Sequence, residues 1–568
     1  MGTWVKGGHA APRAHLCASA VFLALCALLL LVGAIAACGK STTSSSSGKT
    51  STSGITLQST TPPGTHTVAA ITWDLPLGEP TTLDPAKAGD YGPCFVSSQL
   101  HDTLLRYSPD WKTLGPGIAE SWSYPNPLTL VYKIRDNAHF WDGHPVTAAD
   151  VVFSLQRNMN PKTASVWTTF YSNVKSIQQT GPWQVTVHFT KPDELFNKEM
   201  TTDAGGIVEK AYVEKVGEAK YGSGMDVMGS GPYELKSWVS GSDIVLEANP
   251  HYWDPSLQPK VQQVTIKFVT DTSTLTSALL SGEIDGAYEV PPTTIPALKS
   301  APDGKLYFGP GLSVTELAIS NPKGPLGNPA IRGALSMALD RSAIAAKVYN
   351  GAALPNETLT PPTAWDPQAV SVYKQAYDVL PTTSGTASDI AAAKAIVASQ
   401  PGATKPTVLA VETSDQTELE LASIVQQAAT EIGLKMTLKP MQPMAMSNFF
   451  YIPSYRKGID AGVTLGFLDI PDPLDYTSYF FGAYQLFNWI NYNNPQVNKD
   501  LTLARESYDP VKRAEYIVAA QAIYTKATVV IPLTSDDEIL FMNNRISGAP
   551  AAFSYIYLPS LAMIGGTH

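Results

Sequence analysis

Three aspartates near residue 470 are the first candidates for chemistry in this sequence. Asp469, Asp472 and Asp475 stand three residues apart, and Pro471 and Pro473 restrict the backbone around the first two. A carboxylate fixed at the end of an apolar strand is well placed to meet a ligand or to act in acid/base catalysis. The spacing of three does not match the spacing of two that a calcium-binding loop needs. The same acids can also cap a turn, so the segment alone leaves both roles open.

Other groupings that resemble catalytic or metal sites are incomplete. Residues 172–175 and 454–457 match Ser-x-x-Lys, but the Ser-Asp-Asn and Lys-Thr-Gly partners of penicillin-recognising enzymes are absent from the sequence. His139 and His144 flank an Asp-Gly turn, and five residues of separation in a loop is poor geometry for a shared metal ion. We therefore expect a protein that is not an enzyme, with no metal and no cofactor.

The length and composition predict a large globular protein with more than one lobe. A chain of 568 residues is too long for one ordinary core, so two or more lobes are expected. The net charge of -10 and the lack of a basic face exclude nucleic acid as a partner. Three of the four cysteines lie in or at the end of the N-terminal apolar stretch, and only Cys94 lies beyond it. The body can therefore form no internal disulfide and no cysteine metal cluster.

The N-terminus is typical of an export signal. Lys6 and Arg13 precede an apolar run over residues 16–37, and small residues lead to Cys38. This ending resembles the lipobox of bacterial lipoproteins, which implies a signal peptide over residues 1–37 and lipid attachment to Cys38. An uncleaved transmembrane anchor is the alternative, and both place the body outside the cytoplasm. Residues 38–67 are rich in Ser and Thr and are predicted to form a tether.

Strands alternate with helices along the body, which predicts two α/β lobes. Thr147 and Asp150 form a capping box at a helix start. Asn328 before a proline, and Asp509 before another, are N-cap signals. Residues 413–432 predict an amphipathic helix. Further elements are predicted as a strand over residues 69–75, a helix-like stretch over 96–107, and strands over 261–269, 434–438 and 529–533.

The order of several motifs resembles the extracellular solute-binding proteins of ATP-driven importers, in the peptide/nickel-binding class known as family 5. The resemblance runs from about residue 70 to residue 560. The motifs are the strand, Asp-Gly turn and helix of residues 130–155, the Gly-Pro-Tyr element of 228–235, the Asn-Pro-His-Tyr-Trp segment of 249–253, the segment 281–286 and the helix start at 328–341.

The resemblance implies a two-lobed periplasmic-binding-protein-like fold, type II, of the large cluster with an extra subdomain. Lobe I is expected over residues 68–312 plus 529–568, with the inserted subdomain at about 95–225, and lobe II over residues 313–528. Hinge motion would close the lobes on a ligand. The implied protein is a monomer on the outer face of the cytoplasmic membrane, either periplasmic or at the cell surface. It would be held by a lipid anchor and would deliver its ligand to an ABC permease.

The resemblance also implies ligand contacts. In peptide-binding members an aspartate at the position of Asp469 takes the peptide α-ammonium group. Phe467 stands where the family commonly has Trp, so an aromatic wall is kept but an N–H donor is lost. The ligand is therefore expected to be an oligopeptide or dipeptide, with a metal chelate or an oligosaccharide as alternatives, and a tethered enzyme or a ligand sensor as a contrasting function. The further candidate contacts are Tyr91, Thr413, Ser414, Phe487 and Trp489.

Overall fold

The computed structural model describes residues 55–75, 78–382, 385–481 and 486–568. The predicted signal peptide, Cys38 and the first part of the tether lie outside the described residues. Among the helices of these described ranges, none is long and apolar enough to cross a membrane.

The strands of the described residues are numbered in chain order. They are Val68–Asp74 (β1), Leu105–Tyr107 (β2), Leu114–Pro116 (β3), Ala119–Asn126 (β4), Thr129–Ile134 (β5), Val174–Gly181 (β6), Gln184–Phe189 (β7), Tyr233–Val239 (β8), Asp243–Ala248 (β9), Val261–Lys267 (β10), Gly286–Ala287 (β11), Gly304–Ile319 (β12), Ala353–Pro355 (β13), Pro406–Glu412 (β14), Lys435–Met441 (β15), Ala461–Phe467 (β16), Ile531–Asn543 (β17), Ile546–Ser547 (β18) and Gly565–Gly566 (β19).

The α-helices are numbered in the same way. They are Tyr91–Leu100 (α1), Ala148–Arg157 (α2), Leu195–Glu199 (α3), Lys210–Val216 (α4), Thr272–Ser281 (α5), Ile295–Leu298 (α6), Pro329–Met337 (α7), Arg341–Lys347 (α8), Val370–Tyr377 (α9), Ala387–Ser399 (α10), Gln416–Glu431 (α11), Pro443–Tyr451 (α12), Pro473–Phe480 (α13), Pro495–Glu506 (α14), Pro510–Lys526 (α15) and Ser560–Met563 (α16).

One mixed sheet runs through the body, with β13 added at the side of β17. Its strand order is β15-β14-β16-β12-β17-β11-β1-β10-β9-β8. β12 pairs antiparallel with both β16 and β17, whereas β14 is parallel to β15 and β16, and β1 is parallel to β10. A separate antiparallel sheet of order β4-β5-β7-β6 lies inside the sequence range of the expected subdomain.

The long strands β12 and β17 connect separate hydrophobic cores. Leu306 and Phe308 of β12 belong to one buried cluster, whereas Leu317 and Ile319 belong to another, which also contains helix residues from α7 and α11. The pairing of β12 with β17 is interrupted between Gly309 and Ser313. Both strands therefore pass from one α/β half to the other. The residue limits given above for the two lobes stay a prediction.

Local capping signals placed several helices correctly. Thr147 and Asp150 form the predicted capping box of α2, and Asn328 and Asp509 cap α7 and α15. These caps satisfy backbone N–H groups that have no partner within the helix, so their positions are fixed locally. Residues 387–399, which are rich in Ala, also form a helix.

Three stretches differ from the prediction. The helix-like stretch 96–107 is the second half of α1 followed by strand β2, because α1 begins earlier, after the Asp90 cap. The strand predicted over residues 529–533 starts at Ile531 and continues to Asn543. Residues 55–66, assigned by composition to the tether, hydrogen-bond to the body: Gln58 donates to the carbonyl of Phe308 at 2.8 Å, and His66 forms a bridge with Gly566.

Gly309→Ala is expected to destabilise the protein. A Cβ atom at this position would overlap the backbone carbonyl oxygen of Ala551. Backbone atoms cannot move aside as a flexible side chain can, so we expect a loss of about 1–3 kcal/mol in the free energy of unfolding. Chemical denaturation measures the change.

Gly333→Ala is the matched control. This glycine lies in helix α7, and an added Cβ would lie 3.7 Å from Thr528 Oγ1, which is ordinary contact. Because Ala favours helix over Gly, this variant should be up to about 1 kcal/mol more stable. Equal unfolding midpoints for the two variants would contradict the close packing at Gly309.

Candidate ligand-binding site

Strand β16 places Phe467 on a face shared with two neighbouring strands. Phe467 lies opposite Ser313 of β12, and Ser313 lies opposite Asp536 of β17. Directly opposed residues project to the same face of a sheet. Asp469 follows two residues after β16 ends. The side chains of Phe467, Ser313 and Asp536 therefore form a row across the sheet, with Asp469 beside one end.

Asp469 is buried, and tyrosine hydroxyls bind its carboxylate. The residue is 5% exposed. The Tyr479 hydroxyl donates to Oδ2 at 3.0 Å, and the Tyr557 hydroxyl donates a short hydrogen bond to Oδ1. Burial raises the pKa of Asp469 to about 6, although both tyrosine hydroxyls act in the opposite direction. This carboxylate is therefore ionised at pH 7 but close to its protonation range.

An aromatic wall stands next to Asp469. The Phe467 ring lies 4.7 Å from the Tyr91 ring, edge to face, and 5.4 Å from the Phe553 ring, measured between centroids. Tyr91 is the first residue of α1 and is 8% exposed. The structure therefore brings together three of the residues selected from the sequence, Tyr91, Phe467 and Asp469. Their role in binding stays a prediction.

Phe487 and Trp489 lie further from the Asp469 carboxylate, beyond the ring of Tyr479. Phe487 is 5.5 Å from the Tyr479 ring and 5.7 Å from the Trp489 ring. The Arg456 guanidinium lies 4.4 Å from the Trp489 ring centre. Both aromatic residues are half-buried. Phe487 therefore packs against the ring of Tyr479, whose hydroxyl donates to Asp469, and the binding roles of Phe487 and Trp489 stay a prediction.

The expectation that Thr413 and Ser414 open a helix is wrong. Helix α11 begins at Gln416, and Asp415 is its N-cap, accepting from the backbone N–H groups of Thr417 and Glu418. The Ser414 hydroxyl donates to Glu412 at 2.6 Å. Asp415 occupies the capping position because its carboxylate accepts two N–H groups at once. Acids already occupy this helix start, so it does not favour an anionic ligand group.

Asp472 has a structural role that differs from that of Asp469. It caps α13, and its carboxylate lies 2.8 Å from Lys198 Nζ and 2.5 Å from Arg513 Nη2. Burial alone would raise the pKa of Asp472, but the charges of Arg513 and Lys198 outweigh it and hold the pKa well below its usual range.

Further ion pairs join the same two parts of the chain. Glu194 contacts Arg513 at 3.1 Å, and Asp193 contacts Arg505 at 2.9 Å. All of these side chains are largely buried. We call this set the closure network, and its members are Asp193, Glu194, Lys198, Asp472, Arg505 and Arg513.

Two site residues could not be selected from the sequence. Tyr557 lies 88 residues from Asp469 along the chain, and no local motif links them. Tyr479 lies within α13, two turns after its start, where its position toward Asp469 depends on how the chain turns at the prolines. The family resemblance named the acid but not the hydroxyl groups that hold it.

The turn that contains His144 brings together three possible metal ligands. His144 Nδ1 lies 2.8 Å from Asp142 and 3.2 Å from Glu209. The ligand atoms of these residues all lie within 4.8 Å of one another. His139 is not among them. Asp142 and His144 are exposed, and the contacts are those of a hydrogen-bonded surface turn.

The family is decided by the match of the sequence itself. Residues 113–488 match the family described as bacterial extracellular solute-binding proteins, family 5 middle region, which covers well over half of the chain. The chain belongs to this family. The resemblance stated from the motifs is confirmed, and with it the two-lobed α/β fold.

Relatives of this family 5 protein cover different shares of its length. It is 32% identical over 302 residues to the periplasmic oligopeptide-binding protein OppA of Salmonella typhimurium, covering 50% of this chain and 55% of OppA. It is 24% identical over 477 residues to the glutathione-binding protein GsiB of Escherichia coli O1:K1 / APEC, covering 82% of this chain and 89% of GsiB.

A solved structure supports the fold over nearly the same length. The binding protein AgaA of A. tumefaciens R10, in complex with agropinic acid, aligns with a TM-score of 0.76 at 21% identity. The alignment covers 88% of this chain and 99% of AgaA.

Asp472→Asn is expected to destabilise this solute-binding protein strongly. The change removes the negative charge that balances Lys198 and Arg513 in a buried place. Removing one partner of a buried ion pair reduces the free energy of unfolding by about 3–5 kcal/mol. Thermal or denaturant unfolding of the purified variant measures the loss.

Asp378→Asn is the control for that experiment. Asp378 pairs with Lys374 at 2.7 Å on the surface, where both side chains are more than half exposed. Such a pair contributes less than about 1 kcal/mol. If both variants lose the same small amount, the closure network does not have the stabilising role that its burial indicates.

Proposed function

We propose that this solute-binding protein binds peptides through their α-ammonium group at Asp469 and delivers them to an ABC permease. The observation that supports this most is the state of Asp469. Its carboxylate is buried beside an aromatic wall, and within the described residues it forms hydrogen bonds but no ion pair with Lys, Arg or His. A buried acid without a cation of its own favours a cationic ligand.

The carboxylate has room for such a ligand among its acceptor sites. An ionised carboxylate offers about four lone pairs. The Tyr479 and Tyr557 hydroxyls use one on each oxygen. An α-ammonium group would occupy the remaining positions and add an opposite charge in a low-dielectric setting, where charge-assisted hydrogen bonds are strong.

A route for entry follows from the strands that connect the two halves. The Tyr557–Asp469 and Tyr91–Phe467 contacts each join a residue of predicted lobe I to one of predicted lobe II. Rotation about β12 and β17 would separate both pairs together and open Asp469 to solvent. Closure around the ligand would then restore them. In this mechanism the binding energy is used for domain closure, and no covalent step takes place.

The likeness to OppA favours a peptide over the other solutes. OppA is named an oligopeptide-binding protein and is 32% identical over its aligned half. A metal chelate or an oligosaccharide has no peptide α-ammonium group for Asp469 to bind. A tethered enzyme would turn over a bound peptide, whereas a binding protein releases it unchanged. Mass spectrometry of the ligand released from the purified protein distinguishes these cases, and sizing with a bound peptide tests the expected monomer.

Asp469→Asn is expected to weaken peptide binding about tenfold or more, because it removes one charge of a buried ion pair, a loss of about 2–5 kcal/mol. Isothermal titration with an unmodified tripeptide measures the effect. Wild-type affinity should also fall as the pH drops below about 6, where Asp469 becomes protonated. The variant should not show this pH dependence.

Two controls separate binding from folding. The pKa of Asp469 is raised in the folded protein relative to its ordinary value, which the unfolded chain keeps. Ionisation of this carboxylate at pH 7 therefore lowers the free energy of unfolding. Asp469→Asn should therefore not lower the thermal midpoint at pH 7. An N-acetylated tripeptide, which lacks the ammonium group, should bind wild type and variant equally weakly. Equal binding of the unmodified peptide by both proteins would disprove the ammonium role.

We also propose that Cys38 carries a lipid that holds the protein on the outer face of the cytoplasmic membrane. The lipobox-like ending at Ala36, Ala37 and Cys38 supports this. Cys38→Ser is expected to move the protein from the membrane to the soluble fraction, with ligand affinity unchanged. Continued membrane association of the variant would instead favour an uncleaved N-terminal helix.

A further inference from the structure

A second group of acids lies along the same face as Phe467. Asp536 of β17 is across Ser313 from Phe467, and neighbouring strands lie about 4.8 Å apart, so these two residues are about 10 Å apart. Glu538, two residues on, shares the face with Asp536. Glu289 joins them, because its backbone N–H donates to Glu538 Oε1 at 3.1 Å. We call Glu289, Asp536 and Glu538 the second acidic group.

The ligand-facing aromatic wall continues to this group. Tyr91 lies close enough to Ser313, Glu289 and Glu538 for each of these side chains to affect its pKa. The Tyr555 hydroxyl donates to Glu289 Oε1 at 2.9 Å, and the Tyr555 ring packs 5.7 Å from Phe553. Tyr91 and Phe553 therefore lie between Asp469 on one side and the second acidic group on the other.

The second acidic group lacks compensating charge. Within the described part of the chain, none of its three members forms an ion pair with Lys, Arg or His, and the groups that affect them most are tyrosines, threonines and one another. Asp536 is 9% exposed, and its Oδ1 has no hydrogen-bond partner among the described residues. An acceptor buried without a partner is unfavourable unless something else binds it.

The fold does not account for these acids. Asp536, Asp537 and Glu538 are consecutive in the middle of a strand whose other residues are mostly buried and apolar. Acids are depleted in such strands. Glu289 also adopts a φ of 52°, in the left-handed region that non-glycine residues seldom use. In the closure network, by contrast, each buried acid has a basic partner.

We infer that the second acidic group binds a basic side chain of the ligand, so the protein selects peptides that carry Arg or Lys near their N-terminus. This inference rests on the proposed peptide function and specifies its substrate class. An extended peptide rises about 3.3 Å per residue. A basic side chain among the first three residues could thus reach Glu289 and Glu538 while the α-ammonium group stays at Asp469.

The guanidinium group fits this arrangement best. Its planar set of N–H donors can bind two carboxylates at once. Burial raises the pKa of Glu289 and of Glu538, and the charge of Glu289 raises the pKa of Glu538 further. A bound guanidinium favours the ionised form of both carboxylates, so its binding should release a proton to the buffer. The other titratable groups that face them are Tyr91, Tyr288, Tyr555 and Asp537.

The test compares two tripeptides that differ only in charge. Alanyl-arginyl-alanine is titrated into the protein at pH 7. A separate titration uses the same peptide with citrulline, the neutral isostere of arginine, in place of arginine. We expect the arginine peptide to bind about tenfold or more tightly. Calorimetry in two buffers of different ionisation enthalpy should show proton release with the arginine peptide only. Equal affinities for the two peptides would overturn the inference.

The variants locate the effect. Glu289→Gln/Glu538→Gln should lose the preference for arginine and the proton release, while its affinity for trialanine stays within about twofold of wild type. If the double variant does not fold, the single variant Glu289→Gln replaces it in the test, because Glu289 is only half-buried. Glu120→Gln, on the surface, is the control. A preference that persists in a folded Glu289 variant would overturn the assignment.

Failure of the proposed peptide function can be distinguished from failure of the second acidic group. If no tripeptide binds wild type, the proposed function is wrong, and agmatine is used to test the second acidic group, because it has a guanidinium group but no peptide backbone. A rise in the thermal midpoint of wild type that the double variant lacks would support a guanidinium site. No rise in either protein would disprove the site as well.

Discussion

The need to balance buried charge determines how the two halves of this protein meet. Asp472 is placed between Lys198 and Arg513, and a lone charge in that position would be strongly unfavourable. The acid comes from the segment that follows β16, the lysine from α3 and the arginine from α15. This contact therefore fixes the positions of three elements relative to one another. It also fixes the aromatic wall and Asp469, which lie beside it.

The three aspartates near residue 470 show how neighbours of the same type acquire different properties. Asp472 is held ionised by two cations. Asp469 is held by tyrosine hydroxyls, and its pKa rises to about 6. Burial and the charge of Asp469 raise the pKa of Asp475 well above its usual range, and its Oδ2 accepts the backbone N–H of Asp469 at 2.6 Å. Asp475 therefore supports the loop through this hydrogen bond, whereas the Asp469 carboxylate accepts from the hydroxyls of Tyr479 and Tyr557.

Sequence reasoning succeeded where the controlling interactions are local. The caps at Thr147, Asn328 and Asp509 act over a few residues, so their helices start where predicted. The predicted start of α11 at residue 413 was wrong, because Asp415 caps this helix and Gln416 is its first residue. The family register selected Asp469 as a candidate ligand contact, and that role stays a prediction. The hydroxyl of Tyr557, however, reaches that acid from a distant part of the chain, and only the folded structure brings the two together.

The continuity of β12 has a thermodynamic consequence. This strand contributes Leu306 to one hydrophobic cluster and Leu317 to another, and β17 does the same with Ile539 and Ile531. Melting of one half would leave each of the two strands in the other half without its continuation, because both strands are hydrogen-bonded to each other across both halves. The body should therefore lose its structure in one cooperative transition, and a solute that touches only one half stabilises the whole.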